Sequence, residues 1–587
     1  MKILDKISEL LGEAFTACGY DKSYGKAGIS NRPDLCQFQC NGAMAAAKKY
    51  GKAPFIIGDE VAEKLSGNGA FESVECVKPG FINMVMSADF IGDYVRSMAQ
   101  SDKLGCDCES KNEVIFLDYG GANVAKPLHI GHLRSAIIGE SVKRICNFAG
   151  YKTVADVHLG DWGLQMGLII MELKSRKPEL PYFDESYEGE YPSEAPFTLS
   201  ELDEIYPSAS AKSKEDEEFK SSAQQATVLL QNGHRGYTAL WRHIMNVSIP
   251  DLKRNYGNLN VSFDLWKGES DAKPYIADMV QDMLDKGIAH ESQGALVVDV
   301  TEEGDSKELP PCIVRKSDGA ANYETTDLAT LIEREREYSP KSYLYFADKR
   351  QELHYTQLFR TAKKAGIVGE DTELKFIGFG TMNGSDGKPF KTRQGGVLRL
   401  EYLIKEINDA VYAKIMENRT VDEAEARETA GIVGLAALKY GDLSNQASKD
   451  YVFDMDRFIS FEGDTGPYIL YTIVRIKSIL KKYEAEGGQL CGCVINDPEG
   501  ESETALFLEL TKLAETVEGT FAEKAPHKLC KFVYDLSNAF NRFYHDTKIL
   551  GEENENRKKG YIALLVLTRD VLTTCIDLLG IEAPERM

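Results

Sequence analysis

One stretch of the chain shows a strand pattern, a glycine turn and a helix pattern in direct succession. Val114–Leu117 is an apolar, β-branched run, which predicts a buried strand. Asp118-Tyr119-Gly120-Gly121 follows, and then a turn that contains Asn, Pro and Gly, which together predict a loop. From Leu133 to Ile145, apolar residues recur every three or four positions. This spacing predicts a helix that packs one face on a sheet and begins near Gly131 or His132.

Two histidines stand where this predicted helix begins. The first N–H groups of a helix have no partner inside it, so its N-terminus beside a parallel strand attracts anions. His129 and His132 can both reach a phosphoryl group there, and Gly131 lets a ribose or base approach the backbone. Each imidazole can donate to oxygens that gain charge in a transition state. Alternatively, one histidine only caps the helix and the other is a surface residue, but the order of strand, turn and helix favours a phosphate site.

Strand and helix patterns alternate from about residue 109 to 400. The later strand candidates are Thr153–Val157, Ala295–Val300, Ser342–Ala347 and Leu374–Phe379. Such alternation predicts a doubly wound parallel sheet with ligands across its carboxyl edge. We expect the long span 179–268 to consist of insertions into this fold.

The two ends of the chain follow other patterns. Before residue 109, helix patterns at Ile3–Cys18 and from Ala88 flank alternating strand patterns between Phe71 and Met86, which predicts a small α/β domain. After Leu403, the apolar stripes have helical spacing almost to the end. The predicted units are residues 1–108, 109–400, 401–455 and 456–587.

Composition favours a soluble globular protein. The 587 residues are 43% hydrophobic, and no apolar run approaches the roughly 20 residues that span a bilayer. The N-terminus lacks the apolar core of a signal peptide. The twelve cysteines do not have zinc-site spacing, so we expect reduced thiols and no structural metal. We therefore expect a cytoplasmic monomer with no membrane partner.

The net charge of −23 argues at first against a nucleic-acid partner, because phosphate contacts dominate such binding. Between Asp184 and Lys220, however, twelve acidic residues stand against three basic ones. We interpret this segment as a solvated surface insertion. Basic residues cluster elsewhere, around Arg475, Lys528 and Arg557, and could form local basic faces for a folded RNA.

A glycine-rich basic segment follows the last predicted strand. Residues 384–396 carry glycines at both ends and three cations within six positions, Lys388, Lys391 and Arg393. Glycines let such a loop move, and its cations can neutralise phosphate charge. We expect the loop to close over a bound triphosphate.

Several motifs resemble those of one enzyme family. Ala122–His132 ends in His-Ile-Gly-His, which resembles the HIGH motif of class I aminoacyl-tRNA synthetases. The longer segment, with the residues before these four, resembles the same region of the arginyl-tRNA synthetases. The likeness continues at His158–Gly167, Asp318–Ala329, Phe461–Leu480 and Pro584–Met587. It covers nearly the whole chain, and several motifs in the right order are more specific than any one of them.

The resemblance implies an architecture. It comprises an α/β N-terminal domain that contacts tRNA (1–108), a Rossmann-like catalytic domain with a doubly wound parallel sheet (109–400), a helical stem (401–455) and an all-helical DALR-type anticodon-binding domain (456–587). In that last domain, exposed aromatic side chains can stack on unpaired bases. The candidates are Tyr468, Tyr471, Phe540 and Tyr544, although helical spacing makes each more simply a core residue.

The resemblance also implies which residues act on ATP. The basic loop matches the KMSKS loop in its position along the chain but not in its amino-acid sequence, because Thr392 stands where the second lysine is expected. Lys126, three residues before His129, is the candidate that replaces this charge from the opposite side. The predicted catalytic residues are His129, His132, Lys126, Lys391 and Arg393. The predicted ATP-binding residues are Gly131, His129, His132, Lys388 and Lys391.

A guanidinium substrate requires a carboxylate, because its planar fork of donors pairs best with a bidentate acceptor. Tyr323 and Asp327 are four residues apart at a turn entering a predicted helix, hence on one face. Asp327 could instead be a first-turn acid that stabilises the helix N-terminus. By resemblance, Glu269 is a second guanidinium partner, and Asn123 and Gln351 orient the α-amino and carboxylate groups of arginine.

The implied reaction uses ATP and L-arginine to form an enzyme-bound arginyl-adenylate, from which tRNA(Arg) accepts the arginyl group. Mg²⁺ is expected to accompany ATP. By resemblance, adenylate formation needs bound tRNA. Two alternatives remain: a synthetase for another amino acid, such as cysteine, and a synthetase-like RNA-binding protein that has lost catalysis. Cysteine selection in the related enzyme looks to zinc ligands that this chain does not offer, whereas the altered loop around Thr392 keeps the second alternative open.

Overall fold

The computed structural model describes residues 2–317, 321–384, 386–388, 399–418 and 422–587. In its first part, an antiparallel sheet packs against helices. The strands are β1 (Ala27–Ile29), β2 (Phe38–Cys40), β3 (Phe71–Val77) and β4 (Phe81–Met86), in the order β1-β2-β4-β3. The helices are α1 (Ile3–Ala17), α2 (Gly42–Tyr50), α3 (Pro54–Leu65) and α4 (Ala88–Ala99), with a 3-10 turn at Lys22–Tyr24.

The central part alternates strands and helices, as predicted. Its strands are β5 (Val114–Asp118), β6 (Lys152–Asp156), β7 (His290–Ser292), β8 (Ala295–Val298), β9 (Cys312–Arg315), β10 (Ser342–Asp348), β11 (Glu373–Phe379) and β12 (Met382–Asn383). Its helices are α5 (Ile130–Phe148), α6 (Leu164–Arg176), α7 (Leu199–Glu215), α8 (Glu217–Gln231), α9 (Arg235–Asn258), α10 (Lys273–Asp285), α11 (Tyr323–Tyr338) and α12 (Glu352–Ala365), with 3-10 turns at Pro181–Phe183, Glu269–Ala272 and Lys349–Gln351.

Four strands form a parallel sheet in the order β11-β10-β5-β6. Side chains alternate between two cores: Ile115 and Leu117 join the core that includes α5, whereas Phe116 joins the core that includes α11 and α12. The chain leaves β5 first for β6 and later returns to β10 on the other side. Ligands bind at such a reversal of strand order. Ser135 of α5 spans it, since its hydroxyl donates to Phe346 O (2.8 Å) and accepts from Gly120 N (2.8 Å).

The strand predicted at Ala295–Val300 is present as β8 but belongs to a separate antiparallel sheet, β7-β8-β9. Assigning it to the parallel sheet was therefore wrong. Gln293 and Gly294 join β7 to β8, and both have positive φ (52° and 81°). A two-residue loop of this kind makes a hairpin, which forces the strands to run antiparallel.

The acidic insertion is packed rather than simply solvated, so that interpretation was wrong. Helices α7 and α8 lie against α6, and both contribute to the interior. Leu202 and Ile205 of α7 are buried, as are Phe219 and Ala223 of α8. The charged residues occupy the outer faces, as in any amphipathic helix.

The last part is helical apart from a short strand. Its elements are α13 (Leu400–Asn418), α14 (Glu423–Leu443), β13 (Tyr451–Val452), α15 (Met455–Phe458), α16 (Gly466–Ala485), α17 (Glu501–Leu510), α18 (Leu513–Glu523), α19 (Pro526–Asp546) and α20 (Glu555–Leu578). Strand β13 pairs with β12, which connects this part to the central part. Among the described residues, no helix is long and apolar enough to cross a membrane.

Several of the predicted basic clusters in this part are paired with acids. Lys477 and Lys481 both bind Glu585, at 2.7 and 2.9 Å. Lys531 binds Asp535 at 2.7 Å. These pairs reduce the local positive charge that we predicted from the sequence.

Candidate active site

The two histidines of the HIGH motif hold the first turn of α5 together. The helix begins at Ile130, slightly earlier than predicted, and His129 is its N-cap. Gly131 N donates to His129 Nδ1 (3.0 Å), and His129 N donates to His132 Nδ1 (3.1 Å). The ring centroids lie 3.9 Å apart. Both histidines are therefore helix caps, so the capping role and the phosphate role fall on the same residues.

Both rings are neutral donors toward the site. Because each Nδ1 accepts a backbone N–H, the proton of each neutral ring sits on Nε2. Burial, followed by the charges of His129 and Lys126, lowers the pKa of His132 to about 3. Burial and Lys126 also lower the pKa of His129. Near pH 7, the pair thus offers two N–H groups without adding positive charge.

Positive charge on this side comes from lysine. Lys126 lies in the loop before α5, with its Nζ 4.1 Å from the centroid of the Tyr206 ring on α7. The start of α13 lies at the same place, because Leu400 N donates to Leu128 O (3.0 Å). Lys388 is exposed at the start of the basic loop. The predicted residues Lys391 and Arg393 lie outside the described residues.

A cavity of about 590 Å³ lies on the other side of the site. Helix α8 lines one wall, and Glu269 and Tyr323 line the other, together with Trp162 and Gly163. The structure therefore brings together two of the predicted arginine-binding residues. Tyr323 is two-thirds exposed and is the first residue of α11.

Acidic groups concentrate beside this cavity. Burial raises the pKa of Glu269 to about 7, a tendency that His158 opposes and Asp327 and Asp161 strengthen. Asp161 is fully buried and accepts from the backbone and hydroxyl of Ser270 (3.0 and 2.6 Å). Burial raises its pKa to about 6. Buried carboxylates in a cavity favour an incoming cation.

Asp327 is the fifth residue of α11, so it does not act as a first-turn acid. Its carboxylate accepts from His354 Nε2 (2.7 Å) and lies 3.6 Å from His158 Nε2. Although burial opposes both charges, Asp327 and neighbouring acids raise the pKa of His158 to about 9 and that of His354 to about 10. Burial alone would raise the pKa of Asp327, but the two imidazoles hold it well below its usual value.

A buried arginine pairs with two further acids at the carboxyl ends of the neighbouring strands. Arg334 is 3% exposed and donates to Asp118 (2.7 Å) and Asp156 (2.8 Å), at the carboxyl ends of β5 and β6. The guanidinium balances two carboxylates that would otherwise be buried without a partner. The acids that remain beside the cavity are then available to a ligand.

The other two predicted arginine contacts occupy different places. Asn123 pairs through its backbone with Gly160, and a Cβ at Gly160 would collide with the Asn123 side-chain oxygen. This pairing joins the loops that follow β5 and β6. Gln351 is exposed just before α12, one turn from His354, and does not line the cavity.

The sequence did not single out His158, Asp161 or His354. Two of them stand in the segment His158–Gly167, which carried the resemblance without a role for each side chain. The positive φ of His158 (43°) marks a special position, but only coordinates reveal it. His354 lies on α12, far in sequence from Asp327, so no spacing argument could pair them.

Comparison with known proteins matches the whole chain. A family model described as "tRNA synthetases class I (R), catalytic domain" matches residues 95–455, the "Arginyl tRNA synthetase N terminal domain" matches 1–86, and the "DALR anticodon binding domain" matches 469–587. Relatives named arginine–tRNA ligase, from Agathobacter rectalis and Alkaliphilus oremlandii, are 62% and 57% identical, with 100% of both chains covered.

The chain belongs to the arginyl-tRNA synthetase family. A solved arginyl-tRNA synthetase of Plasmodium falciparum has a TM-score of 0.81 at 24% identity, covering 100% of this chain and 99% of that one. The Thermus thermophilus enzyme has a TM-score of 0.79 at 20% identity, covering 100% of both. These likenesses confirm the predicted arginyl-tRNA synthetase fold. The boundaries at 108, 400 and 455 and the roles of single residues remain predictions.

Proposed function

We propose that this chain joins L-arginine to tRNA(Arg), with ATP as the energy source, and that the residues described above carry the reaction. Family membership supports the ligase activity and the use of ATP. The observation that supports the residue roles is a cavity with Glu269 in its wall and Asp327 close to Glu269, in the same catalytic region as the helix N-terminus that carries His129 and His132. The arginine carboxylate attacks the α-phosphate of ATP, pyrophosphate leaves, and arginyl-adenylate remains.

The HIGH side acts on the triphosphate. The Nε2–H groups of His129 and His132 donate to phosphate oxygens whose charge grows in the transition state. Lys126 supplies the positive charge that Thr392 does not, and Lys388, Lys391 and Arg393 act from the loop. Gly131 lets the nucleotide approach, since a side chain there would crowd the His129 ring. The protein forms no covalent bond with the substrate, and positioning lowers the barrier.

The acidic side selects arginine. Glu269 and Asp327 receive the guanidinium, and Tyr323 covers it. Asn123 and Gln351 orient the α-amino and carboxylate groups. His354 holds the Asp327 carboxylate from behind through the 2.7 Å contact. Lysine has no planar fork of donors, and citrulline, although planar, is neutral and presents an oxygen acceptor in place of one donor, so discrimination follows from charge and donor geometry together.

The terminal ribose of tRNA(Arg) then takes the arginyl group from the adenylate, and AMP leaves. Adenylate formation itself needs bound tRNA, and Mg²⁺ accompanying ATP would neutralise part of the phosphate charge. Among the described residues, no cluster of three or more His, Cys, Asp or Glu side chains could hold a metal ion.

ATP–pyrophosphate exchange tests this function. The purified chain is assayed with each of the twenty amino acids, with and without tRNA. We expect exchange with arginine alone, and only in the presence of tRNA(Arg). Equal rates without tRNA would remove the tRNA requirement, and exchange with another amino acid would overturn the substrate. Thermal stabilisation by arginine and tRNA without any exchange would favour an RNA-binding protein that has lost catalysis.

We further propose that the chain acts in the cytoplasm as a monomer. Light scattering after gel filtration, in the absence of tRNA, should then give a mass near 65.3 kDa both with and without arginine and ATP. A mass of twice that value would overturn the monomer.

A further inference from the structure

Helix α7 of the acidic insertion touches both cation-bearing segments of the ATP side. Asp203 and Tyr206 are three residues apart, hence on one face of this helix. Asp203 binds Arg399, which lies three residues after the basic loop, at 3.1 Å. Tyr206 lies against Lys126, which precedes the HIGH motif. The insertion thus reaches the active site through two side chains of one helix.

The contact between Lys126 and Tyr206 is made by a ring, not by a carboxylate. The ammonium lies 4.1 Å from the ring centroid, and among the described residues Lys126 forms no ion pair. An aromatic face attracts a cation without neutralising it. A carboxylate in this place would compete with phosphate for the ammonium, whereas the ring leaves the charge available.

Lys126 needs such a support because its side chain is long and strongly hydrated. An unsupported ammonium samples many positions and loses entropy when it meets a phosphate. Its position here is close to both imidazoles, since its charge contributes to the lowered pKa of His129 and of His132. Tyr206 is itself fixed, because it packs between the main core and the small core of α7 and α8.

We propose that Tyr206 is a positioning residue for ATP: its ring holds the Lys126 ammonium, still charged, toward the triphosphate. This inference rests on the proposed role of Lys126 and gives the insertion a function in the first step of the reaction. Tyr206 does not touch ATP, and it acts through Lys126 alone.

Variants of Tyr206 and Lys126 test the proposal. ATP–pyrophosphate exchange is measured at saturating arginine and tRNA, and kcat and the KM for ATP are determined separately. Lys126→Met should lower kcat/KM for ATP about a hundredfold, because it removes a charge from the phosphate site. Tyr206→Leu should lower it about tenfold, and Tyr206→Phe should restore most of the activity, because the ring remains. The double variant Lys126→Met/Tyr206→Leu should equal Lys126→Met alone, since the ring has no further role.

Controls separate positioning from folding. Glu204→Gln changes an exposed residue of the same helix and should leave kcat and KM unchanged. Tyr206→Met provides a second ring-free variant with a longer, unbranched and more adaptable side chain, in case the leucine variant unfolds. The KM for arginine should change less than the KM for ATP in every Tyr206 variant, because Tyr206 does not line the arginine cavity, although after burial and Glu269 it contributes to the raised pKa of Tyr323.

The outcomes distinguish the inference from the proposed function. If Lys126→Met is impaired but Tyr206→Leu is not, the role of Lys126 stands and this inference fails. Equal losses in Tyr206→Phe and Tyr206→Leu, or multiplied losses in the double variant, also overturn it. If Lys126→Met retains full activity, both the proposed role of Lys126 and this inference fail. An unmodified chain without arginine-dependent exchange would overturn the proposed function itself.

Discussion

The two halves of the candidate site use the same residue type in opposite ways. On the HIGH side, the pKa of His132 is lowered to about 3, whereas beside the acidic cavity the pKa of His354 is raised to about 10. Both rings are substantially buried by their surroundings. The difference lies in the partners: His132 Nδ1 accepts a backbone N–H, and His354 Nε2 faces the Asp327 carboxylate. Neighbouring groups, rather than burial alone, therefore decide the charge of a histidine.

This contrast matches the ligands that we propose for each side. Neutral N–H donors suit a triphosphate, because they stabilise developing charge while Lys126 and the basic loop bring the net positive charge. Paired acid and imidazole groups suit a guanidinium, because His158 and His354 keep the Asp327 carboxylate ionised and oriented before the substrate arrives. Four predictions test this contrast, beginning with the largest expected effect.

The largest effect should come from removing the charge of Asp327. Asp327→Asn leaves the guanidinium with one carboxylate, and loss of one partner of a desolvated pair costs about 3–5 kcal/mol. At about 1.4 kcal/mol per tenfold change, kcat/KM for arginine should fall by at least about a hundredfold in tRNA-dependent exchange. Asp371→Asn changes an exposed aspartate in a loop and serves as the control. An unchanged kcat/KM for arginine in Asp327→Asn would show that this carboxylate does not bind the substrate guanidinium.

On the HIGH side, His129→Asn should separate capping from chemistry. Asparagine is among the best N-cap residues, so the free energy of unfolding should stay nearly unchanged. The Nε2–H donor is lost, however, and kcat for adenylate formation should fall about a hundredfold, as for a missing oxyanion donor. Thermal unfolding and exchange kinetics on one preparation measure both quantities. A folded variant with normal kcat would show that His129 only caps the helix and has no role in catalysis.

The acidic side should respond to pH near neutrality. The guanidinium binds ionised Glu269, and the pKa of Glu269 is about 7 in the free protein. Below pH 7 Glu269 is mostly protonated, so arginine binding must then release a proton. The dissociation constant for arginine should therefore rise about tenfold from pH 8 to pH 6. His158 and His354 stay protonated over this range, so they do not oppose the trend. Calorimetry with bound tRNA measures it, and Glu269→Gln, although a weaker binder, should show little pH dependence between these values.

A smaller effect should follow from Ser270→Ala. The Ser270 hydroxyl donates to Asp161 (2.6 Å) in the turn that carries Glu269. Loss of this hydrogen bond costs about 1 kcal/mol, which corresponds to roughly a fivefold rise in the KM for arginine. The KM for ATP should not change, because the HIGH side does not share this turn. Equal changes in both constants would indicate a general loss of structure instead.

Local patterns were sufficient where neighbours in sequence are also neighbours in space. The strand at Val114–Leu117, the loop after it and the helix with His129 and His132 at its start all occur, with the helix beginning at Ile130 rather than at Gly131 or His132, because each depends on contacts within a few residues. The same holds for Tyr323 and Asp327 on one face of α11. The strand at Ala295 was predicted from its apolar pattern, but it was assigned to the wrong sheet. The sequence of a single strand does not show which other strand it pairs with.

Sequence motifs alone identified the arginyl-tRNA synthetase family, the parallel-sheet fold and most of the proposed substrate contacts, because those motifs are short and read in order. Only the tertiary structure supplied the contacts between distant segments: His354 with Asp327, Arg334 with Asp118 and Asp156, and Tyr206 with Lys126. The charge states of Asp327 and His354 depend on such distant partners and on the exclusion of water around them. Neither is encoded in local spacing, because both arise only when the chain has closed around its cores.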